Sequence, residues 1–132
     1  MRAHVAVFVG GLGLLLASVP ALAHHSFAVE FDAKKPLKLT GVVTRVEWKN
    51  PHAYFYIDVT DKTGTVTNWG FELTSPNVLM RQGWTRNSLK LGDTVSVEGS
   101  GAKDGSHAGN TTLVVLSTGQ RLFGGTSQQS TP

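Results

Sequence analysis

The sequence predicts an all-β domain with one short helix, a five-stranded Greek-key barrel of the oligonucleotide/oligosaccharide-binding (OB) type. A small β-sandwich is the competing architecture. Three observations carry this. Short stretches alternate apolar and polar residues at the two-residue period of half-buried strands. One capped helical pattern stands between the third and fourth of them. The first long strand is interrupted by Gly41, and such a break lets one strand bend and serve both sides of a closed sheet.

In chain order, "HSFAVEF" sets His25, Phe27, Val29 and Phe31 against Ser26, Ala28, Glu30 and Asp32, and reads as a first strand segment. "DAKKP" turns the chain into "LKLTGVVTRVEW". Leu37 and Leu39 there are odd-numbered, whereas Val42, Val46 and Trp48 are even-numbered, so a bulge or bend at Gly41 is expected to restore register. "NPH" ends that strand. "HAYFYIDVT" and "TVTNWGFEL", separated by "DKTG", form a hairpin with Ala53, Phe55, Ile57 and Val59 on one face and His52, Tyr54, Tyr56 and Asp58 on the other. In "TSPNVLMRQGW", Ser75 suits an N-cap, Pro76 the first helical position and Gly83 the C-terminal stop. "TVSVEG" and "TTLVVLS" complete the barrel across the glycine-rich loop "SGAKDGSHAGN", and "TGQRL" adds a short extension.

The boundaries follow from composition. Residues 1–23 have a positive start at Arg2, an apolar run from Val5 to Val19 and the small-residue triplet Ala21-Leu22-Ala23. They read as a signal peptide, which places the mature protein in the periplasm or outside the cell. The run is glycine-broken and short for a spanning helix, so no stable membrane span is expected after cleavage. Cleavage after Ala23 leaves residues 24–122 as one domain, with 123–132 as a disordered tail of low apolar content. The chain has no cysteine, so stability rests on an ordinary core. Loss of Arg2 leaves 11 basic residues against 9 acidic, too mild a balance to imply nucleic acid.

The segments "HHSFAVEFD", "KPLKLTGVV", "VEWKNPHAY", "SPNVLMRQGW" and "LKLGDTVSVEG" together resemble a family of small exported bacterial proteins of unknown function. The likeness runs from Ala23 to about Leu122. More distantly the chain is similar to periplasmic bacterial proteins of the OB-fold type. The resemblance implies an exported β-barrel and supplies no activity.

Function must therefore come from the residues. A mature terminus at His24 would carry an α-amine beside its own imidazole, and His25 adds a second imidazole at position two. Such nitrogen chelates suit Cu(II), which heads the affinity order for nitrogen sites. His52 is the expected third nitrogen. Its partner across the hairpin falls at Glu72 or Thr74, so Glu72 is expected as an auxiliary ligand or as acceptor for the imidazole. In ligand type, though not in fold, this resembles the copper brace of some secreted oxidases and periplasmic copper carriers. Against this stands a structural role for the same histidines, as a cap of the first strand and, for His52, as donor to a turn carbonyl. His107, in the glycine-rich loop, is expected to be solvated.

The alternative class is a binding module without metal. Tyr54 and Tyr56, with Arg45, Lys49 and Asn68 nearby, would recognise a sugar, small molecule or protein. The same tyrosines also suit cross-strand packing, one of them covering Gly70. Trp69 and Trp84 are expected in the core. No catalytic residues are assigned: the chain lacks a cysteine nucleophile and a glycine-serine elbow, and the spacing of its carboxylates brings no pair to glycosidase separation.

Overall fold

The computed structural model describes residues 27–125. The chain is mostly β: α1 (Phe27–Glu30), β1 (Phe31–Glu47), β2 (Tyr54–Thr60), β3 (Val66–Glu72), α2 (Pro76–Arg81), β4 (Thr94–Ala102), β5 (Ala108–Leu116) and β6 (Arg121–Phe123). The strands form one sheet in the order β3-β2-β1-β4-β5-β6, with antiparallel neighbours throughout. One further pairing, β3 with β5, is parallel across Gly70–Ala108, Phe71–Gly109 and Glu72–Asn110.

β1 is the strand on which the others depend. It pairs with β4 from Phe31 to Val42 and with β2 from Val42 to Glu47, so Val42 faces Thr94 on one side and Asp58 on the other. The expected register change is present but displaced. It falls between Val43 and Arg45, which pair with the consecutive residues Ile57 and Tyr56, leaving Thr44 as the extra residue. Val43 is accordingly buried and Val42 is exposed. Gly41 has another reason to be glycine: a Cβ there would lie 2.4 Å from the carbonyl oxygen of Asp58.

Four other expectations are corrected. Phe27–Glu30 is a helical turn rather than the end of a strand. "DAKKP" does not separate two strands but bulges out of one, since Asp32 pairs with Gly101 and the next pair is Pro36 with Ser100. Lys34 N donates to Asp32 Oδ1 at 2.9 Å inside this bulge. The glycine-rich segment is also shorter as a loop than its composition suggests. β4 continues through Gly99 and Gly101 to Ala102, because β5 runs so close that a Cβ on Gly99 would overlap the Asn110 carbonyl. Phe123 closes β6, and Gly124 N bonds Thr112 O at 3.0 Å, so the fold continues past the expected start of the tail. Residues 1–26 and 126–132, including the expected signal, His24, His25 and most of the expected tail, lie outside the described residues.

The hairpin and helix form as their chemistry dictates. Asp61 Oδ1 accepts from Thr63 N and Thr65 N at 2.8 and 3.0 Å, and Gly64 supplies the positive φ of 84° that the turn needs. Ser75 caps α2 by accepting from Val78 N, Pro76 opens it, and Gly83 at φ 97° ends it. The core holds Val43, Ala53, Phe55, Ile57, Phe71, Leu73, Leu79, Trp84, Val95, Val97 and Val114. Phe55 and Phe71 stack at 5.5 Å between ring centroids, and Trp84 Nε1 donates to Phe123 O at 2.9 Å. Trp69 packs partly buried against this core, as its phase with Phe71 requires.

Candidate functional site

The site is built where β2 begins and β3 ends. Asn50 and Pro51 are joined by a cis peptide, and His52 follows just before β2. The hairpin register pairs Tyr54 with Glu72 and Tyr56 with Gly70, and Ala53 and Leu73 exchange backbone bonds with the opposite chain beyond it. Because alternate side chains share a face, His52, Tyr54 and Glu72 meet on the outer surface while Ala53, Phe55 and Phe71 fill the core.

Glu72 is the centre of the cluster. Its Oε1 lies 2.6 Å from His52 Nδ1, and its Oε2 accepts from the Tyr54 hydroxyl at 3.4 Å. Only 9% of Glu72 is exposed, a position where a carboxylate persists only with partners. Burial pushes its carboxyl above the ordinary carboxylate value and Glu30 adds to the rise, while His52 and the Tyr54 hydroxyl oppose it. Burial likewise pushes the Tyr54 phenol up to about 12, with the charge of Glu72 as the next cause. One of the two partners expected for His52 is therefore the one found. Contact with Glu72 through Nδ1 leaves Nε2 as the nitrogen free of that carboxylate.

Two hollows adjoin the cluster and share Phe31, Tyr54, Glu72 and Ala108. One, of about 420 Å³, is bounded also by Val29, Glu30 and Lys103. The other, of about 280 Å³, is bounded also by Tyr56, Asn68 and His107. The segment that follows the expected N-terminal histidines thus borders the same carboxylate as His52. Among the described residues, no three of His, Asp and Glu converge as a metal site.

The residues expected on the tyrosine face are brought together but are engaged with one another. Arg45 lies over the Tyr56 ring at 5.2 Å and Lys49 over the Tyr54 ring at 5.4 Å, and both cations pair with Glu47. The Lys49 ammonium, first of these, and Arg45 hold the Glu47 carboxyl below its usual range. Asn68 Nδ2 donates to Asp58 Oδ1 at 2.8 Å and to Thr44 Oγ1 at 3.1 Å. The Tyr56 ring covers Gly70, where a Cβ would come within 2.9 Å of it. His107 is the exposed loop residue expected, and it has neighbours as well: its ring lies 5.0 Å from that of Trp69, and its carbonyl accepts from Gly70 N at 3.1 Å. A lone histidine among glycines gives no sequence signal for that contact.

Fold and cluster together define a small β protein with a histidine–carboxylate–tyrosine group on the outer face of a hairpin. The model of the Family of unknown function (DUF6152) matches residues 12–111, and the chain belongs to that family. No curated protein and no solved structure matches it. Among the described residues, no helix is long and apolar enough to cross a membrane.

Proposed function

We propose that this is an exported copper-binding protein in which His52 offers Nε2 to a Cu(II) ion also held by the α-amine and imidazole of a mature terminus at His24, with His25 beside them. The observation that carries the proposal is the 2.6 Å contact of His52 Nδ1 with Glu72. A carboxylate behind one ring nitrogen fixes the tautomer, orients the ring and raises the basicity of the other nitrogen, the arrangement typical of metal-ligating histidines. Glu72 has both oxygens engaged, so its part is to hold the imidazole. Reach supports the rest. Glu30 borders the hollow that Tyr54 and Glu72 also border, and His24 lies six residues earlier, within roughly 20 Å of extended chain.

The ring of pairings β1-β2-β3-β5-β4-β1, with β3 and β5 parallel, supports reading the sheet as a closed barrel of the OB type. The ligand surface of such barrels is strands two and three with the β1–β2 and β4–β5 loops. His52 stands in the first of these loops and His107 in the second.

The test uses protein whose first residue is His24, verified by intact mass, titrated with Cu(II) against a competing chelator. Tight one-to-one binding is expected, and adding a single alanine before His24 should weaken it at least tenfold by separating the amine from its imidazole. Equal affinity in the extended form overturns the proposal. A second reading, a non-metal ligand on the Tyr54, Tyr56, Arg45 and Asn68 face, is favoured by the 280 Å³ hollow. It requires no free terminus.

A further inference from the structure

We infer that Tyr54 is a positioning residue for the copper-binding imidazole, acting through Glu72, rather than a stacking platform for a ligand. The inference rests on the copper reading of His52 and extends it by one residue. Tyr54 and Glu72 are direct partners across the hairpin, so their side chains rise side by side from the sheet. The terminal torsion of a glutamate is broad and roughly two-fold; unrestrained, its two oxygens would exchange in front of His52. The Tyr54 hydroxyl donates to Oε2 while Oε1 faces Nδ1, and that donation holds the carboxylate in one orientation. The carboxylate in turn keeps the proton on Nδ1 and the lone pair on Nε2.

The tyrosine is itself held in place. Lys49 Nζ lies over its ring at 5.4 Å, and the ring borders both hollows beside Phe31, itself 6% exposed. Tyr56, two residues on, differs in kind: its ring covers Gly70 and stands under Arg45. The two tyrosines that look equivalent in sequence therefore have separate duties, the first polar and directed at Glu72, the second a packing element.

The experiment compares the native protein beginning at His24 with Tyr54→Phe, which keeps the ring and removes only the hydroxyl. A third form carries fluorotyrosine at position 54, a stronger donor. In the metal-free proteins, the ring ¹⁵N shifts of His52 report the tautomer. Tyr54→Phe should lower the Nδ1–H population and the fluorinated form should raise it. In the copper forms, Tyr54→Phe should alter the electron paramagnetic resonance spectrum and weaken binding by about three- to tenfold, below the ~10–100-fold of a partner touching the ligand directly. Unchanged His52 shifts in both variants overturn the inference. So does weaker binding without any change in shifts or spectrum, which would mark Tyr54 as packing alone. Failure of the native protein to bind copper overturns the copper reading itself, and the native titration shows that separately.

Discussion

Glu72→Gln should have opposite effects on copper affinity and on the stability of the metal-free protein. The carboxylate faces His52 Nδ1 at 2.6 Å and is 9% exposed, so this is a desolvated, charge-assisted contact. Such bonds contribute about 1.5–3 kcal/mol, against about 1 kcal/mol for a neutral one. Glutamine keeps an acceptor oxygen and loses the charge, a difference of about 1–2 kcal/mol. At 1.4 kcal/mol per decade, Cu(II) affinity should fall by about 5–30-fold. Stability should move the other way. Burial raises the Glu72 carboxyl in the folded state, so the folded protein holds more protons than the unfolded chain between the two pKa values. That contribution is fully present below the unfolded carboxylate range and is lost as pH rises through the raised folded value. A residue that is always neutral removes this loss. Metal-free Glu72→Gln should melt no lower than native at neutral pH, with a flatter dependence on pH from the carboxylate range upward. Chelator competition and thermal melts measured at several pH values test both arms. Copper affinity within twofold of native, or a metal-free variant less stable than native at neutral pH, would refute the reasoning.

Two further substitutions address the frame. His107→Ala should leave copper affinity within about twofold and destabilise the fold by about 0.5–1.5 kcal/mol through loss of the Trp69 ring contact, measurable by urea unfolding; a large loss of copper binding would bring His107 into the site. Gly41→Ala should lower the melting temperature by roughly 10 °C, from about 2 kcal/mol of overpacking in a domain of this size. Its Cβ would meet backbone, the Asp58 carbonyl at 2.4 Å, which has no rotamer by which to yield; an unchanged melting temperature would show that β1 and β2 can separate at no cost.

Much of the hairpin was legible because two signals agreed. Alternation in "HAYFYIDVT" and "TVTNWGFEL" set the inward face, and the turn at Asp61 to Gly64 set the register to within one step. That was sufficient to bring Glu72 to His52. The capped helix was equally clear, since Ser75, Pro76 and Gly83 each answer a specific backbone need. What escaped the sequence were features set by distant neighbours. "SFAVE" alternates well enough for a strand, yet its last four residues form a helical turn, because a period of two over so few residues does not exclude one. Gly41 marked the close approach to Asp58, while the bulge itself fell at Thr44. Gly101 resembled loop and proved to be strand, while Gly99, read as the end of the strand before it, must be glycine because β5 runs so close that a Cβ would overlap the Asn110 carbonyl. The separate duties of Tyr54 and Tyr56 depend on which of them faces a carboxylate and which a glycine, and only the register decides that.

The bulge at Ala33 to Lys35 gives β1 a place where length can change without changing pairing. Downstream of it, Pro36 to Val42 stay matched to Ser100 through Thr94, and upstream Phe31 and Asp32 are held by Ala102 and Gly101. Adding or removing a residue within the bulge would leave both ladders intact. Glu30 and Phe31 precede it and Lys49 to His52 follow the same strand at its other end, yet both groups border Glu72 or its partners. A single ribbon thus bends round to approach its own far end, and the loose stitch within it separates two demands: the ladders fix the sheet, while the segment leading in from the terminus can be adjusted to the site.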